Sequence, residues 1–283
     1  MLFALDVGNT QTVIGVFDDA PLDDDQRASR VLGELPGLRQ HWRIATDAHR
    51  TADEYLLLFE QMLAVQATSL LKPGGEPIDG IVMCSSVPAV TAAIREMVST
   101  RLELPLVVVE PGIRTGLAIL YENPREVGAD RIANAIAATD LYDGPLIVVD
   151  LGTATTFDAI SAAGEYLGGA IAPGIEIAMD ALFAHAAALR RVELVPPRNV
   201  IGRSTVESMQ SGAVFGHAAL VDGMCRRIVA EIGESTVIAT GGLAPVVAPH
   251  ASMIGQVDPW LTLHGLRLVF ARNISVAHDD GAS

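Results

Sequence analysis

Apolar residues fall in two rhythms along this chain, alternating or continuous over short stretches and helically spaced over longer ones. Residues 2–7 and 12–18 are β-branched-rich strands that meet in the turn Gly8-Asn9-Thr10-Gln11, which predicts a hairpin. HWRIAT (41–46) supplies a third strand, and the polar, acidic stretch from Asp18 to Gln40 before it reads as a solvated loop. Residues 51–71 repeat apolar positions at helical spacing, with Thr51 or Asp53 as N-cap and Pro73-Gly74-Gly75 as the stop. A buried strand over 79–87, a helix from Pro88 to Leu102 and a strand over 104–112 complete the order β-β-β-α-β-α-β.

The second part repeats that opening. The latter half of 121–142 is an Ala-rich helix, and PLIVVDLGTATTFDAIS (145–161) is again strand, turn, strand. EYLGGAIAPG (165–174) is a third strand, followed by helices over 174–190 and 204–232. Residues 235–247 give a strand, a Gly-Gly turn and a helix start, and LTLHGLRLVFARNI closes the ordered chain. Each part is led by a three-strand meander, so the expected organisation is α/β with domains at 1–113 and 114–273. The tail over 274–283 is expected to be disordered.

Composition narrows the function class. Half of the 283 residues are hydrophobic, enough for a well-packed core, but every long apolar run is strand-sized and broken by Asp, Gly or Pro, so no membrane span is expected. The first residues lack a basic, signal-like region, and Cys84 and Cys225 lack CxxC spacing, as expected of buried thiols in the cytoplasm. The net charge of −15 argues against nucleic acid as a partner. Lys72 is the only lysine, which removes the Walker A motif, and no GxGxxG loop is present.

The candidate chemistry lies in the two hairpins. Asp6 ends an apolar strand just before Gly8, Asn9 and Thr10; 144 positions later Asp150 precedes Gly152, Thr153, Thr155 and Thr156 in the same arrangement. One such loop could be a turn capped by its Asp, but two suggest a shared ligand. The glycines let the backbone approach phosphate oxygens, and the threonines add hydroxyl donors. A carboxylate cannot accept from phosphate, so Asp6 and Asp150 must hold a cation or water. Mg²⁺ suits this, because it shares its ligands between carboxylate, water and phosphate. Asp130 and Arg131 stand at a helix start after Gly128; the Asp can simply complement the helix dipole, or it can take a proton from an acceptor hydroxyl. The seven histidines show no metal spacing, and Met179, Met209 and Met224 read as core.

DVGNT, DLGTATT and TGGLA (240–244) resemble the two phosphate loops and the adenosine segment of the acetate and sugar kinase, heat-shock-70 and actin superfamily. That resemblance implies two ribonuclease-H-like domains with an ATP cleft between them. Together with HWRIAT, SSVP (85–88), YENPREVGADR, GGAIAPG and STVESMQSG, in that order, the set resembles one family, type III pantothenate kinase. The resemblance implies phosphorylation of pantothenate by ATP, the first step of coenzyme A synthesis. It also implies ATP contacts from Asp6, Val7, Gly8, Asn9, Thr10, Gln11, Thr12, Val13 and Thr153, with Asp6 acting on Mg²⁺, in part through water. Asp150 matches the ligand of a monovalent cation, K⁺ or NH₄⁺, and Asp130 the catalytic base. Tyr121, Gly128, Ala129, Asp130, Arg131 and Thr205 match the pantothenate site, although Ser204-Thr205 with Glu207 also reads as an N-cap. A homodimer is implied, with helices 174–190 and 204–232 partly in its interface. The rival readings are a different small-molecule kinase of the superfamily and a non-catalytic regulator on the same fold.

Overall fold

The computed structural model describes residues 1–18, 34–65, 68–71, 76–186 and 189–279. β1 (Leu2–Val7) and β2 (Gln11–Phe17) form the first hairpin, antiparallel from Leu2 opposite Phe17 to Val7 opposite Thr12. β3 (Leu38–Ala45) extends it, α1 (Ala52–Ala64) follows, and β4 (Thr68–Ser69) and β5 (Glu76–Pro77) make a small separate pair. β6 (Gly80–Ser85), α2 (Pro88–Arg101) and β7 (Leu106–Val108) complete a sheet of order β3-β2-β1-β6-β7. The second part repeats the plan. After α3 (Ala129–Leu141) come β8 (Leu146–Leu151), β9 (Ala154–Ile160) and β10 (Tyr166–Pro173). Then follow α4 (Ile175–His185), α5 (Thr205–Ile232), β11 (Thr236–Thr240), α6 (Ala244–Val247), β12 (Gln256–Val257) and α7 (Leu261–Asp279). The second sheet runs β10-β9-β8-β11-β12, the same order and the same mixture of antiparallel and parallel neighbours. The meander expected to lead each part is thus present in both sheets, in keeping with the two ribonuclease-H-like units that the resemblance implies.

Layering follows from which residues are apolar on each face. The outer face of the first sheet packs Phe3, Leu5 and Ile14 against Tyr55 and Phe59 of α1 and Ile94 of α2. Its inner face packs Leu2, Ala4 and Val82 against Ala133 and Ile136 of α3 and Leu263, Leu266 and Val269 of α7. The second sheet does the same: Ile147 and Val149 meet Val221 and Cys225 of α5, and Val148 and Ile160 meet Ala135 and Ala138 of α3. Helices α3 and α7 are therefore a shared central layer. The alanines of α3 suit that place, because a helix covered on several sides must be thin. Gly265 serves the same packing: a Cβ there would lie 1.9 Å from the carbonyl oxygen of Ala133.

Several boundaries differ from expectation. The helix predicted over 51–71 starts with a capping box between Thr51 and Glu54 but stops at Ala64. Beyond it, the Glu60 carboxylate accepts from the N–H of Leu70 at 2.6 Å and of Leu71 at 3.2 Å, taking donors a longer helix would use internally. The Pro73-Gly74-Gly75 stop lies outside the described residues, as does 19–33 of the acidic stretch. The helix predicted to reach residue 190 ends at His185. The tail expected to be disordered from residue 274 is helical as far as Asp279. Asn273 pins that helix end, accepting from the Arg114 N–H at 3.2 Å and donating to the Arg114 carbonyl at 2.9 Å.

Two glycine-to-alanine substitutions should move stability in opposite directions in urea unfolding. Gly265→Ala should cost about 2–3 kcal/mol, the overpacking against Ala133 outweighing alanine's better helix propensity. Gly223→Ala, in the interior of α5 with nothing within 4 Å of the new methyl, should gain about 0.5–1 kcal/mol.

Candidate active site

Asp6 and Asp150 occupy equivalent places in the two sheets. Each is the penultimate residue of a central strand, paired with Val13 and Cys84 in the first sheet and with Thr156 and Thr240 in the second. The turns that follow are also alike: the Gly8 N–H donates to the Gln11 carbonyl and the Gly152 N–H to the Ala154 carbonyl, both at 3.0 Å. Thr46, just past β3, braces the first turn by donating to the Gly8 carbonyl at 2.7 Å. The two loops face each other closely, with the Thr10 and Thr153 hydroxyls 3.2 Å apart. Between them opens a cleft of about 500 Å³.

Asp130 reaches the same cleft from the central layer. It is the second residue of α3, whose N-cap is Gly128, and its Oδ1 accepts from the Arg131 N–H at 2.8 Å. A Cβ at Gly128 would lie 2.5 Å from that oxygen and would displace the Asp130 carboxylate. The floor is closed by Thr240, Gly241 and Gly242 after β11. Gly241 has φ +90°, and a side chain there would strike Asp150 as well as being strained.

Crowding carboxylates in a partly desolvated cleft has a predictable effect. Burial, and then the charge of Asp130, push the Asp6 pKa up to about 6, against the pull of the Cys84 thiol and Arg43. Burial, Asp130 and Asp6 push Asp150 up to about 7, opposed by a hydrogen bond from the Asn134 amide at 3.2 Å. Arg131 turns away from its neighbour Asp130: its Nε donates to Asp158 Oδ1 at 2.7 Å, an oxygen that also accepts from the Tyr166 hydroxyl at 2.7 Å. Burial raises the Asp158 pKa even against the pull of Arg131 and Tyr166.

Of the residues singled out by sequence, Asp6, Gly8, Asn9, Thr10, Gln11, Val13, Asp130, Asp150 and Thr153 line the cleft. Val7 is core, and Thr12 is buried, 2.8 Å from the Thr46 hydroxyl. Gly128 and Ala129 lie half-buried at the start of α3. Tyr121 stacks near Tyr166, ring centroids 6.4 Å apart, and its ring would be 3.3 Å from a Cβ at Gly168. Thr205 lies elsewhere, on a larger apolar groove of about 590 Å³ between α4 and α5. Met179 and Met209, read from sequence as core, line that groove too, while His217 packs inward with its Nε2 2.8 Å from the Thr155 hydroxyl. The groove is lined by no carboxylate, whereas the cleft is lined by four, Asp6, Asp130, Asp150 and Glu176.

Sequence reasoning passed over Arg43, Asn134, Asp158, Glu176 and Thr262. Arg43, Glu176 and Thr262 line the cleft. Asn134 is fully buried and takes a hydrogen bond from Thr262 at 2.8 Å. Asp158 had a readable signal, a carboxylate at a core-facing position of an apolar strand, which demands a buried partner. The others had none, since their partners come from distant elements.

Comparison with known proteins agrees with this geometry. A family model described as type III pantothenate kinase matches residues 2–227. A type III pantothenate kinase of Streptomyces avermitilis is 53% identical over 280 residues, covering 97% of this chain and 99% of its own. One from Moorella thermoacetica is 50% identical over 274 residues, covering 96% and 100%. Among solved structures, a Campylobacter jejuni protein assigned to the Baf family of transcriptional activators superposes with TM-score 0.54 at 18% identity, covering 96% of this chain and 99% of that one. At that identity it supports the fold alone.

The Asp150 charge should cost stability in metal-free, nucleotide-free protein. Its folded pKa, about 7, lies above the ordinary 3.8, so the cost is absent below about pH 4 and grows as pH rises through 7. Asp150→Asn should therefore be more stable than the wild type at pH 8, by about 1–3 kcal/mol, with a higher melting temperature, and the gap should narrow towards pH 4 in a series of thermal melts.

Proposed function

This chain belongs to the type III pantothenate kinase family, and we propose that the cleft between its two sheets is the active site. The enzyme transfers the γ-phosphoryl group of ATP to the terminal hydroxyl of pantothenate, giving 4′-phosphopantothenate and opening coenzyme A synthesis. ATP lies between the Asp6–Val13 and Asp150–Thr156 loops, with backbone N–H groups and the Thr10 and Thr153 hydroxyls on its phosphates. Asp130 orients the acceptor hydroxyl for in-line attack and takes its proton as the new P–O bond forms. Gly128, Ala129, Arg131 and Tyr121 shape the pantothenate side, with Thr205, which lies on the α4–α5 groove, joining it only across the proposed homodimer. The observation that carries the reading is the convergence of Asp6, Asp130 and Asp150, from two strand ends and one helix start, on a single cleft.

The donor set fits bound cations. Asp6 and Asp150 keep carboxylates at the cleft wall although burial and mutual repulsion oppose their charge. Among the described residues no three His, Cys, Asp or Glu side chains gather into a cage, which fits an ion that shares its ligands with phosphate and water. Asp6 would hold Mg²⁺ through water, and Asp150 a K⁺ or NH₄⁺ ion. Such ions supply charge neutralisation of the transferring phosphoryl group.

The reading includes a homodimer and a place in the cytoplasm. Support for the dimer is the apolar groove between α4 and α5, flanked on the same helices by exposed Ile177, Leu182, Val206 and Leu220. The cytoplasmic assignment rests on two unpaired, buried cysteines and a metabolic reaction.

Incubation with ATP, Mg²⁺, K⁺ and pantothenate should give phosphopantothenate by mass spectrometry. Asp130→Asn should slow it at least about a hundredfold; equal rates would keep the kinase and remove Asp130 as base. In sedimentation velocity the wild type should run as a dimer and Leu182→Asp as a monomer; a monomeric wild type would sink the dimer.

A further inference from the structure

Arg43 stands apart from the other described cations by its place in the cleft. It is the one positively charged side chain lining the cleft among the described residues, where it faces Asp6, Asp130, Asp150 and Glu176. It is exposed, and among the described residues it makes no ion pair or hydrogen bond. In a chain of net charge −15, an unpaired arginine among four carboxylates needs an explanation beyond surface solvation.

Its backbone is held firmly. Along β3 the residues alternate, so Trp42 and Ile44 pack on the first core while His41 and Arg43 share the opposite face. His41 stacks on Trp260 with ring centroids 4.1 Å apart, tying that face to the start of α7. Two residues on, the Arg43 guanidinium passes directly over Gly242, in the turn after β11 of the other sheet. A Cβ at Gly242 would lie 2.9 Å from its Nη1. Arg43 thus crosses from the first sheet to the second through a gap that a side chain at position 242 would fill.

We propose that Arg43 is a phosphate-binding residue of this cleft, its guanidinium contacting the polyphosphate of the bound nucleoside triphosphate. The inference rests on the reading of the cleft as the nucleotide site. A polyphosphate adds several negative charges to a wall already lined by four carboxyl groups, and the planar guanidinium fork can meet two phosphate oxygens at once. The loops offer only neutral N–H and O–H donors, so Arg43 is the protein's own full positive charge there. Gly242 leaves the path of the side chain open, and a methyl there would displace the end of the guanidinium.

The test compares ATP and adenosine in Mg²⁺ buffer, by calorimetry for ATP and by displacement of a fluorescent nucleotide for adenosine. Arg43→Met should weaken ATP about ten- to a hundredfold and leave adenosine within about twofold. Arg43→Lys should recover part of the loss. Gly242→Ala should lose less than Arg43→Met, and the double variant should bind ATP no worse than Arg43→Met alone, as expected when two changes act on one contact. Melting temperatures of the ligand-free variants should match the wild type, since both sites are exposed. Arg43→Met binding ATP as the wild type does, or losing ATP and adenosine equally, would overturn the proposal. A double variant showing the product of both losses would separate Gly242 from Arg43. A wild type that binds no ATP would instead overturn the reading of the cleft, and the inference with it.

Discussion

Two sheets of this protein bury their facing surfaces on one shared pair of helices, and the cleft exists because of that packing. α3 and α7 touch so closely that the chain needs Gly265 against the Ala133 backbone and alanines along α3. A helix packed against both sheets cannot shift without disturbing both cores. Its first turn, with Gly128 and Asp130, therefore has a fixed place relative to both hairpins. The hydrophobic effect sets the geometry here, and the polar groups are carried into position by it.

That position is electrostatically unfavourable in the isolated protein. Asp6 and Asp150 end central strands, where neighbouring strands and turns strip water from them, and each feels Asp130 as well. The fold compensates little: a thiol and the charge of Arg43 for Asp6, and one amide for Asp150. Such an arrangement persists where a ligand removes the strain. In the proposed reading, cations and Arg43 serve that purpose for a polyphosphate substrate, while the neutral loop donors set its register.

The other polar constellation has the opposite character. Arg131, Asp158 and Tyr166 are all buried and satisfy one another. Arg131 lies next to Asp130 in sequence, yet its charge is spent inward on β9. The pair ties the start of α3 to the second sheet, so the same helix turn presents one residue to the cleft and anchors itself with the next.

Much of this was legible along the chain. The hairpins follow from β-branched alternation broken by Gly turns, and the recurrence of the two Asp-Gly-Thr loops pointed to the shared cleft that both line. The helix end at Ala64 was not legible, since Glu60 captures the N–H groups of Leu70 and Leu71 only once the chain folds back. Nor was the helical state of 274–279, which follows an Asn273 anchor at Arg114, 159 positions away in sequence. Sequence by itself determined the elements, the repeated meander, the paired loops and the place of Asp130 at a helix start, because propensity, turn chemistry and motif spacing act over a few residues. Tertiary structure alone decided that Arg43 meets Gly242, that Asn134 bridges Thr262 and Asp150, and that Thr205 lies on a different cavity. Those contacts depend on how two sheets stack on shared helices, and that is set by burial across the whole chain.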